Sequence, residues 1–261
     1  MNNNLVVSKA ERELIVIIPA FNEEAAIGNF IDSLKDHGVF DYADVLVIND
    51  GSRDKTSFIA RSKGAKVITH IYNLGYGCAL QTGYKYAVRR GYKYLIQIDS
   101  DGQHDACNVK NLYDELKAGE GKSEIVIGSR FFETSKSFHI SIFKKFAINL
   151  FKTTIKISTG KVIKDPTSGL QGLSRDAFLF CSYYDNFFPD YPDANMIIQM
   201  LLNNFIITEI PSVMHERKAG TSMHSGLKPI LYIMKMIIST LCVIIREKSN
   251  GEKRKRILRK G

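Results

Sequence analysis

The sequence is poor in cysteine and proline, and neither residue occurs in a pattern that indicates a scaffold. The four cysteines lie far apart, at positions 78, 107, 181 and 242, so neither a disulfide framework nor a zinc module is expected. The six prolines and 19 glycines show no period typical of a fibre. The first residues, Met1–Leu5, lack the basic and then apolar order of a secretory signal. We therefore expect a reducing, cytoplasmic location.

The chain has enough apolar residues for a core, and its positive charge is concentrated at one end. With 261 residues, 44% hydrophobic and 24% charged, it can form one large domain or two small ones and is not expected to be disordered. The net charge is +9, but residues 246–261 alone contain eight basic and two acidic side chains. Such a tail fits an anionic membrane, a nucleic acid or simple solubility.

Short apolar runs alternate with longer amphipathic stretches in the first half of the chain. The predicted strands are Leu14–Ile18, Val45–Ile48, Lys66–Ile68, Tyr94–Ile98 and Ile125–Ile127, and the predicted helices are 23–37, 54–63, 77–90 and 105–118. Asp54 and Asp105 are predicted N-caps. Strands that alternate with helices indicate an α/β fold, in which a mostly parallel sheet is covered on both faces.

Polar residues follow four of the predicted strands, at the point where each strand ends. These endings are Pro19–Glu23, Asn49–Ser52, Asp99–His104 and Gly128–Arg130. Ligands of open α/β sheets bind beyond the carboxyl ends of the strands. One such ending is expected by chance, but four at a shared edge predict a binding site.

The strongest chemical signal is the pair Asp99 and Asp101. Two residues apart at the end of a strand, their carboxylates are expected on the same side, where they repel each other unless a cation or a proton intervenes. Oxygen ligands of this kind favour Mg²⁺ or Mn²⁺. The alternative is a solvated turn before the next helix, which the buried strand before the pair and Gln103 after it disfavour. His104 and His215 show no metal spacing and are expected to be structural or peripheral.

The other polar positions each allow two interpretations. Asp50 fits a turn residue that accepts from the following amides, or a group that accepts a hydrogen bond from a base or ribose. Arg130 and Arg217 can each bind an anion bidentately or lie at the surface. Asn73–Gly77 lacks the lysine and the third glycine of phosphate-binding loops, so helix packing and capping are favoured there.

Six motifs in a fixed order give the sequence a family resemblance. They are Ile18–Glu24, Asn49–Ser52, Asn73–Gly75, Asp99–His104, Gly128–Arg130 and Asp165–Gly169. With them the chain resembles the family 2 glycosyltransferases of GT-A fold, in the branch that includes dolichol-phosphate-mannose synthases. The resemblance covers roughly residues 14–225, and it implies a single Rossmann-like domain with a mostly parallel mixed sheet.

The resemblance also implies a role for each matching residue. The nucleoside pocket would be lined by Pro19, Ala20, Phe21, Glu23 and Asp50, with Asp99 toward the donor sugar or ribose and Arg130 and Arg217 toward the phosphates. The metal would be held on the pyrophosphate by Asp101, with Gln103 and Asp99 beside it. The segment beside the acceptor would contain Asp165, Ser168 and Gly169. A metal ion and arginines would neutralise the charge of a departing nucleoside diphosphate.

A hydroxyl acceptor benefits from a general base, which in many relatives is an acid at the start of a late helix. Asp193 lies nearest to that place in this sequence, and Asp190 is the second candidate. Either acid can instead cap the helix predicted at Ala194–Asn203. A phosphate acceptor is already ionised and needs no base.

Two later segments suit a membrane surface. Phe138–Ser158 carries an apolar stripe at helical spacing with lysines beside it, which fits core packing or lipid contact. Leu227–Ile245 is more apolar but has Lys235 near its middle, so a helix in the interface is favoured over one that spans the bilayer. The basic tail would then contact anionic lipids. The resulting division is a catalytic domain at 1–225, an amphipathic interfacial helix at 226–246 and a basic tail at 247–261.

These patterns predict a peripheral enzyme on the cytoplasmic face of a membrane. It would be an inverting, metal-dependent glycosyltransferase that moves a sugar from a nucleotide diphosphate to a lipid-linked acceptor in cell-surface polysaccharide synthesis. The alternatives are a polyprenyl-phosphate glycosyl synthase and a non-catalytic scaffold that binds sugar nucleotides. A nucleotidyltransferase would need a glycine-rich loop that residues 19–28 lack, and no recognition motif for nucleic acid accompanies the tail. A homo-oligomer is left open.

Overall fold

A mixed β-sheet organises the chain. The computed structural model describes residues 12–119, 123–132, 142–183, 192–215, 234–247 and 249. The strands in these ranges are β1 (Leu14–Ala20), β2 (Ala43–Asn49), β3 (Lys66–Thr69), β4 (Tyr94–Gln97), β5 (Ile125–Ser129), β6 (Gln171–Ser174) and β7 (Ile207–Pro211). They form one seven-stranded sheet in the order β3-β2-β1-β4-β6-β5-β7. Strand β6 pairs antiparallel with β4 and β5, and the other pairs between these strands are parallel.

Helices connect the strands and cover the sheet. The helices of the described ranges are α1 (Ile27–Asp36), α2 (Val39–Tyr42), α3 (Thr56–Ser62), α4 (Tyr76–Arg90), α5 (Cys107–Ala118), α6 (Ile142–Thr159), α7 (Arg175–Ser182), α8 (Ala194–Leu202) and α9 (residues 234–247). Helix α4 connects the parallel strands β3 and β4, and α5 connects β4 to β5, as expected for crossover connections.

Strand β1 is buried on both faces, so apolar and polar residues do not alternate along it. All seven of its residues are buried. Ile17 packs in a cluster with Tyr84 of α4, whereas Val16 packs on the opposite side with Ile31 of α1. Burying an aliphatic side chain of this size stabilises the fold by roughly 1.5–3 kcal/mol. The sheet therefore has a hydrophobic core on each face, which confirms the predicted α/β fold with a mostly parallel mixed sheet.

The five predicted strands are present, but two further strands were not predicted. Strand β6 is short and polar, with Leu173 as its one large apolar side chain, and its burial follows from pairing on both edges. Strand β7 is only partly buried and ends in Pro211. The predicted helix 23–37 begins only at Ile27, because residues 24–26 form a turn in which the carbonyl of Glu23 accepts the amide of Ala26.

The two predicted N-cap residues lie one position before the capping residues of their helices. Asp54 accepts the amide of Thr56 at 3.0 Å, and Asp105 accepts the amide of Cys107 at 2.8 Å. Each carboxylate therefore satisfies the first amide of its helix, α3 or α5, and stabilises the helix N-terminus.

The two segments predicted to suit a membrane pack differently. Helix α6 buries Ala147, Phe151 and Ile155, so the described part of its apolar stripe packs in the core. Helix α9 buries the face with Met236 and Val243. In the part of the chain that the structure describes, no helix is long and apolar enough to cross a membrane.

Polar contacts hold α9 on α8. The side-chain amide of Asn195 donates to Ser239 Oγ at 2.7 Å, and that of Asn203 donates to Glu247 Oε2 at 3.1 Å. The opposite face of α9 is apolar and exposed, with Met234, Ile237, Ile238, Leu241 and Ile245 between 40% and 68% exposed. The predicted interfacial role of the 226–246 segment stays a prediction, and residues 226–233 lie outside the described residues.

Candidate active site

The four polar endings meet at one edge of the sheet. Strands β1, β2 and β4 are parallel, and β5 runs in the same direction because β6 is antiparallel to both β4 and β5. Their carboxyl ends therefore point the same way. The residues that follow them, from Phe21, Asp50, Asp99 and Arg130 onward, form this edge of the molecule.

The segments that follow β1 and β2 are bonded to each other. The amide of Asn22 donates to Ser52 Oγ at 2.9 Å, and the amide of Glu23 donates to Thr56 Oγ1 at 2.8 Å. Of the predicted nucleoside residues here, Pro19 and Ala20 are buried at the end of β1, whereas Phe21 is 45% exposed. Their contact with a base stays a prediction.

Asp50 is buried, and its carboxylate organises the loop before α4. Oδ1 accepts the amide of Leu74 at 2.9 Å and lies 2.7 Å from His70 Nδ1, while Oδ2 accepts the amide of Gly75 at 2.8 Å. The turn bond considered for Asp50 is instead made by Asn49, whose Oδ1 accepts the amide of Ser52 at 3.2 Å. The predicted place of Asp50 in the nucleoside pocket stays a prediction, although three protein groups already contact its oxygens.

His70 was not predicted as a site residue. Its Nε2 lies 2.9 Å from Thr82 Oγ1 on α4, so the imidazole bridges the end of β2 and the helix. The sequence carries only a weak signal for this role, because His70 directly follows the short strand β3.

Tyr76 joins the same loop to the acidic motif. Gly75 has φ of 99°, a conformation that suits glycine, and Tyr76 begins α4 directly after it. Tyr76 Oη donates to Asp99 Oδ1 at 2.9 Å. Burial and the carboxylates of Asp99 and Asp193 raise the pKa of Tyr76 well above its ordinary value, so the phenol stays protonated. The loop was interpreted only as packing and capping, and the role of Tyr76 was missed.

Asp99 lies among like charges. Burial and the neighbouring carboxylates of Asp101 and Asp193 raise its pKa to about 7, against the hydrogen bond from Tyr76 and the charge of Arg130, which lower it. The charges of the predicted metal residue Asp101 and of the predicted base Asp193 both act on Asp99, and we call these three carboxylates the acidic cluster. The like charges favour binding a cation.

Gly169 forms one wall of this cluster. A Cβ atom at Gly169 would lie 2.2 Å from Asp99 Oδ2, so the Asp99 side chain occupies space that only glycine leaves. Ser168 is buried and donates to the carbonyl of Gly128 at 2.6 Å. The predicted place of these two residues beside an acceptor stays a prediction.

Asp101 shapes the turn after β4. Its Oδ1 accepts the amide of Gln103 at 3.0 Å, and the carbonyl of Gln103 accepts the amide of His215 at 2.7 Å. No three His, Cys, Asp or Glu side chains of the described ranges are arranged to hold a metal ion by themselves. Mg²⁺ and Mn²⁺ sites that bind substrate phosphates often use only one or two carboxylates, so this geometry fits an ion completed by a ligand and water.

Arg130 and Asp165 form a buried pair. Nε and Nη2 of Arg130 donate to the two oxygens of Asp165 at 2.7 and 2.6 Å, and the Arg130 amide donates to Oδ2 at 2.9 Å. Burial disfavours the charge of Arg130, but these hydrogen bonds raise its pKa above the ordinary value. The amide of Asp165 in turn donates to Glu209 of β7 at 2.8 Å. The side chain of Asp165 thus orients Arg130, and its predicted place beside an acceptor stays a prediction.

Asp193 directly precedes α8 and makes no side-chain capping bond to that helix. The capping interpretation is therefore not supported for Asp193. Its charge acts on Asp99, Tyr76 and Arg130, which places it at the acidic cluster. Asp190 and Arg217 lie outside the described residues, so the structure gives them no position.

His104 is buried beside the arginine pair. Burial and the charge of Arg130 lower its pKa to about 4, so the imidazole is neutral at physiological pH. Within the described ranges its Nδ1 has no hydrogen-bond partner. The structural or peripheral role expected for His104 stays a prediction.

Known proteins are similar to this chain in sequence and in fold. The sequence model described as Glycosyl transferase family 2 matches residues 15–180. A UDP-N-acetylglucosamine–dolichyl-phosphate N-acetylglucosaminyltransferase of Methanococcus voltae is 28% identical over 64% of this chain and 72% of its own length. A polyprenol monophosphomannose synthase of Mycolicibacterium smegmatis is 26% identical over 81% of both chains. An uncharacterized protein of Methanocaldococcus jannaschii is 36% identical over 63% of this chain, which spans 66% of that protein's length.

A solved structure shares the fold at low identity. Glucosyl-3-phosphoglycerate synthase from Mycobacterium tuberculosis, crystallised with Mn²⁺, UDP-glucose and phosphoglyceric acid, superposes with a TM-score of 0.67. The match covers 90% of this chain and 80% of that protein at 21% identity, so it shows a common fold.

Proposed function

The chain belongs to glycosyl transferase family 2, and we propose that it moves a sugar, with inversion, from a nucleotide diphosphate to a lipid-linked acceptor. It is related to dolichyl-phosphate sugar transferases, as predicted. The observation that carries the proposal is that Asp99 and Asp101 after β4 and Arg130 after β5 lie at one edge of the sheet, where the charge of Asp193 also acts on Asp99 and Arg130. A diphosphate donor and a cation would bind together at such an edge.

The acidic residues fit a divalent metal ion. Within the described residues, the charges of Asp101, Asp193 and Arg130 all act on Asp99, and Arg130 is already paired with Asp165, so a diphosphate would meet net negative charge. Carboxylate oxygens such as those of Asp101 and Asp99 are preferred ligands of Mg²⁺ and Mn²⁺, and Gln103 adds an amide oxygen. The ion would stabilise the negative charge of the departing diphosphate. Related folds crystallised with Mn²⁺ and UDP support this choice.

Arg130 supplies positive charge from the other side of the site. Asp165 holds its Nε and Nη2, while Nη1 makes no hydrogen bond within the described ranges. Because the guanidinium is fixed in orientation, Nη1 can donate to a phosphate oxygen without losing further side-chain freedom. Arg217 is the second arginine that the family resemblance assigns to the phosphates.

The acceptor decides whether a base is needed. Asp193 would take the proton of an attacking hydroxyl, and its place at the acidic cluster supports this role. The second candidate function is a polyprenyl-phosphate glycosyl synthase, which is favoured by relatives named for dolichyl-phosphate acceptors. Asp193→Asn separates the two: a hydroxyl acceptor predicts a loss of about 10²-fold or more in kcat. Full activity of Asp193→Asn with a polyprenyl phosphate would support the second function.

Turnover of nucleotide sugars tests the proposal directly. The chain, with Mn²⁺, is offered a panel of UDP- and GDP-sugars, and release of the nucleoside diphosphate is measured with and without a polyprenyl phosphate. We expect at least one sugar to be hydrolysed or transferred, and Asp101→Asn to abolish this. The matched control is Asp114→Asn, because Asp114 is exposed on α5, where it pairs with Lys110 at 2.6 Å. Tight UDP binding without any turnover would favour the scaffold alternative.

We further propose that the enzyme works at the cytoplasmic face of a membrane as a peripheral protein, in cell-surface polysaccharide synthesis. The exposed apolar face of α9, with Ile238 and Leu241, supports contact with lipid. The basic tail at 247–261 follows this helix directly, and each Lys or Arg near an anionic leaflet contributes roughly 1 kcal/mol to binding. A lipid-linked acceptor would be reached from such a position.

A further inference from the structure

A short loop connects two carboxylates that lie on different strands. Asp50, after β2, accepts the amides of Leu74 and Gly75, and the next residue, Tyr76, donates its hydroxyl to Asp99 after β4. Asp50 thus fixes the backbone of the loop, and the side chain of Tyr76, the first residue of α4, contacts Asp99. The two carboxylates are predicted to contact the nucleoside and the sugar of one donor molecule.

The Asp99 carboxylate is confined on both of its oxygens. Oδ1 receives the Tyr76 hydroxyl at 2.9 Å, and Oδ2 lies against Gly169, where a Cβ would come within 2.2 Å. Asp99 is not fully buried, so part of the residue remains accessible from outside. A phenol has a single O–H group to donate, and because Tyr76 directs it at Asp99, the orientation of the carboxylate depends on that hydrogen bond.

We infer that Tyr76 is a positioning residue, which holds the Asp99 carboxylate in the orientation that the donor sugar requires. The inference rests on the proposed function and assigns a role that the sequence motifs did not indicate. Asp50 contributes to this positioning, because it binds the amide of Gly75 and so fixes the backbone directly before Tyr76. The nucleoside end of the site is thereby coupled to the sugar end.

Tyr76→Phe tests the inference by deleting one oxygen atom. We expect kcat to fall about tenfold, because a hydrogen bond to a charged group is lost. The KM for the nucleotide sugar should change by less than about twofold, since the nucleoside diphosphate keeps its contacts. The probe is the UDP- or GDP-sugar that the unmodified chain turns over fastest with Mn²⁺. UDP binding in the presence of Mn²⁺, measured by titration calorimetry, should be unchanged.

The matched control is Tyr84→Phe. Tyr84 lies two turns further along α4, and its hydroxyl donates to Gln97 of β4, so the same atom is deleted on the same helix beside the same strand. We expect Tyr84→Phe to lower the thermal unfolding midpoint but to leave kcat within about twofold. Equal losses of kcat in Tyr76→Phe and Tyr84→Phe would overturn the inference, because both would then reflect stability.

A second variant covers the case in which Tyr76→Phe does not fold. Tyr76→His keeps a ring that can donate a hydrogen bond, and it should retain more kcat than Tyr76→Leu, at equal KM. Equal kcat in Tyr76→His and Tyr76→Leu would contradict the inference. If the unmodified chain turns over no nucleotide sugar, the proposed function fails. If the unmodified chain is active and the Tyr76 variants have the same kcat, the function stands and the inference alone fails.

Discussion

The space beside Asp99 depends on a single hydrogen atom at Gly169. A methyl group there would overlap the Asp99 carboxylate, because the ideal Cβ position lies 2.2 Å from Oδ2 and 3.0 Å from Cγ. The backbone of Gly169 is also held, since its carbonyl accepts a hydrogen bond from Gln97 at 3.3 Å. The carboxylate must therefore move if a side chain is added, although the fold around it need not change.

Gly169→Ala should reduce kcat by about 10²-fold, because a displacement of about 1 Å in a reacting group has an effect of that size. Steady-state turnover of the best nucleotide sugar measures it, and circular dichroism shows whether the fold is retained. Gly28→Ala is the control, because a Cβ at Gly28 on α1 would meet only flexible side-chain atoms, Ile59 Cγ2 at 3.1 Å and Lys63 Cε at 3.9 Å. Unchanged turnover in Gly169→Ala would show that the position of Asp99 does not limit the reaction.

Among the elements, the start of α5 is joined to the residues that follow β7. Asn108 Nδ2 donates to the carbonyl of Val213 at 2.8 Å, and Asp105 Oδ2 lies 2.6 Å from His215 Nε2. The residues after β7 are therefore attached to the residues after the acidic motif. This attachment contains a titratable carboxylate, and its strength should depend on pH.

Acid should weaken the attachment of α5 in a defined pH range. Burial of Asp105 opposes its ionisation, but hydrogen bonds from His215 and Cys107 outweigh this and lower its pKa from 3.8 to about 2. A carboxyl with a lowered pKa stabilises the fold above its unfolded value and loses that contribution as the pH falls. Urea unfolding should show this loss between about pH 4 and pH 2. Asp105→Asn should have a lower free energy of unfolding than the unmodified chain at pH 6 and should lose less of it between pH 4 and pH 2. An equal loss in the unmodified chain and in Asp105→Asn would contradict this prediction.

Helix α9 has its two faces in opposite environments. Met236 and Val243 pack in the core, whereas Ile238 is 59% and Leu241 54% exposed. We expect the double variant Ile238→Glu and Leu241→Glu to unfold at nearly the same urea concentration but to lose binding to vesicles that contain anionic lipid. Vesicle flotation measures binding, and Phe58→Glu, which changes another exposed apolar side chain (72% exposed) on α3, is the control. Equal flotation of all three proteins would refute a membrane role for α9.

For the whole molecule, the charge of the site predicts that nucleotide and metal bind together. The carboxylates of Asp99, Asp101 and Asp193 repel a diphosphate, so UDP alone should raise the thermal midpoint little. UDP with Mn²⁺ should raise it more than the two separate shifts combined, because each ligand improves the binding of the other. Asp101→Asn should lose this excess. A full shift with UDP in the presence of a chelator would contradict the metal proposal.

The sequence predicted the architecture and the edge at which the site lies. Apolar strands buried on both faces and helices between them are local patterns, which is why five strands and the family were predicted and confirmed. Strand β6 could not be predicted, because its burial comes from its neighbours β4 and β5 and not from its own four residues.

Contacts between distant segments were the part that the sequence did not reveal. His70 and Tyr76 act on Asp50 and Asp99, which lie 20 and 23 residues away from them. Similarly, Arg130 and Asp165 were both selected, but as separate ligand-binding groups, and only the fold shows that they bind each other. A sequence motif identifies a candidate site residue. The residue that binds to it depends on which distant segment the fold brings to the same edge of the sheet.

The direction of β6 has a consequence for how the cleft can vary. Because β6 is antiparallel, the chain reaches the edge of the candidate site just before this strand and passes between the ends of β4 and β5, which are about 10 Å apart at two strand spacings. The first residue of this passage, Asp165, binds the guanidinium of Arg130. Gly169, four residues later, lies against the carboxylate of Asp99. One stretch of five residues thus contacts both Arg130 and Asp99, so we expect an insertion within it to displace both side chains.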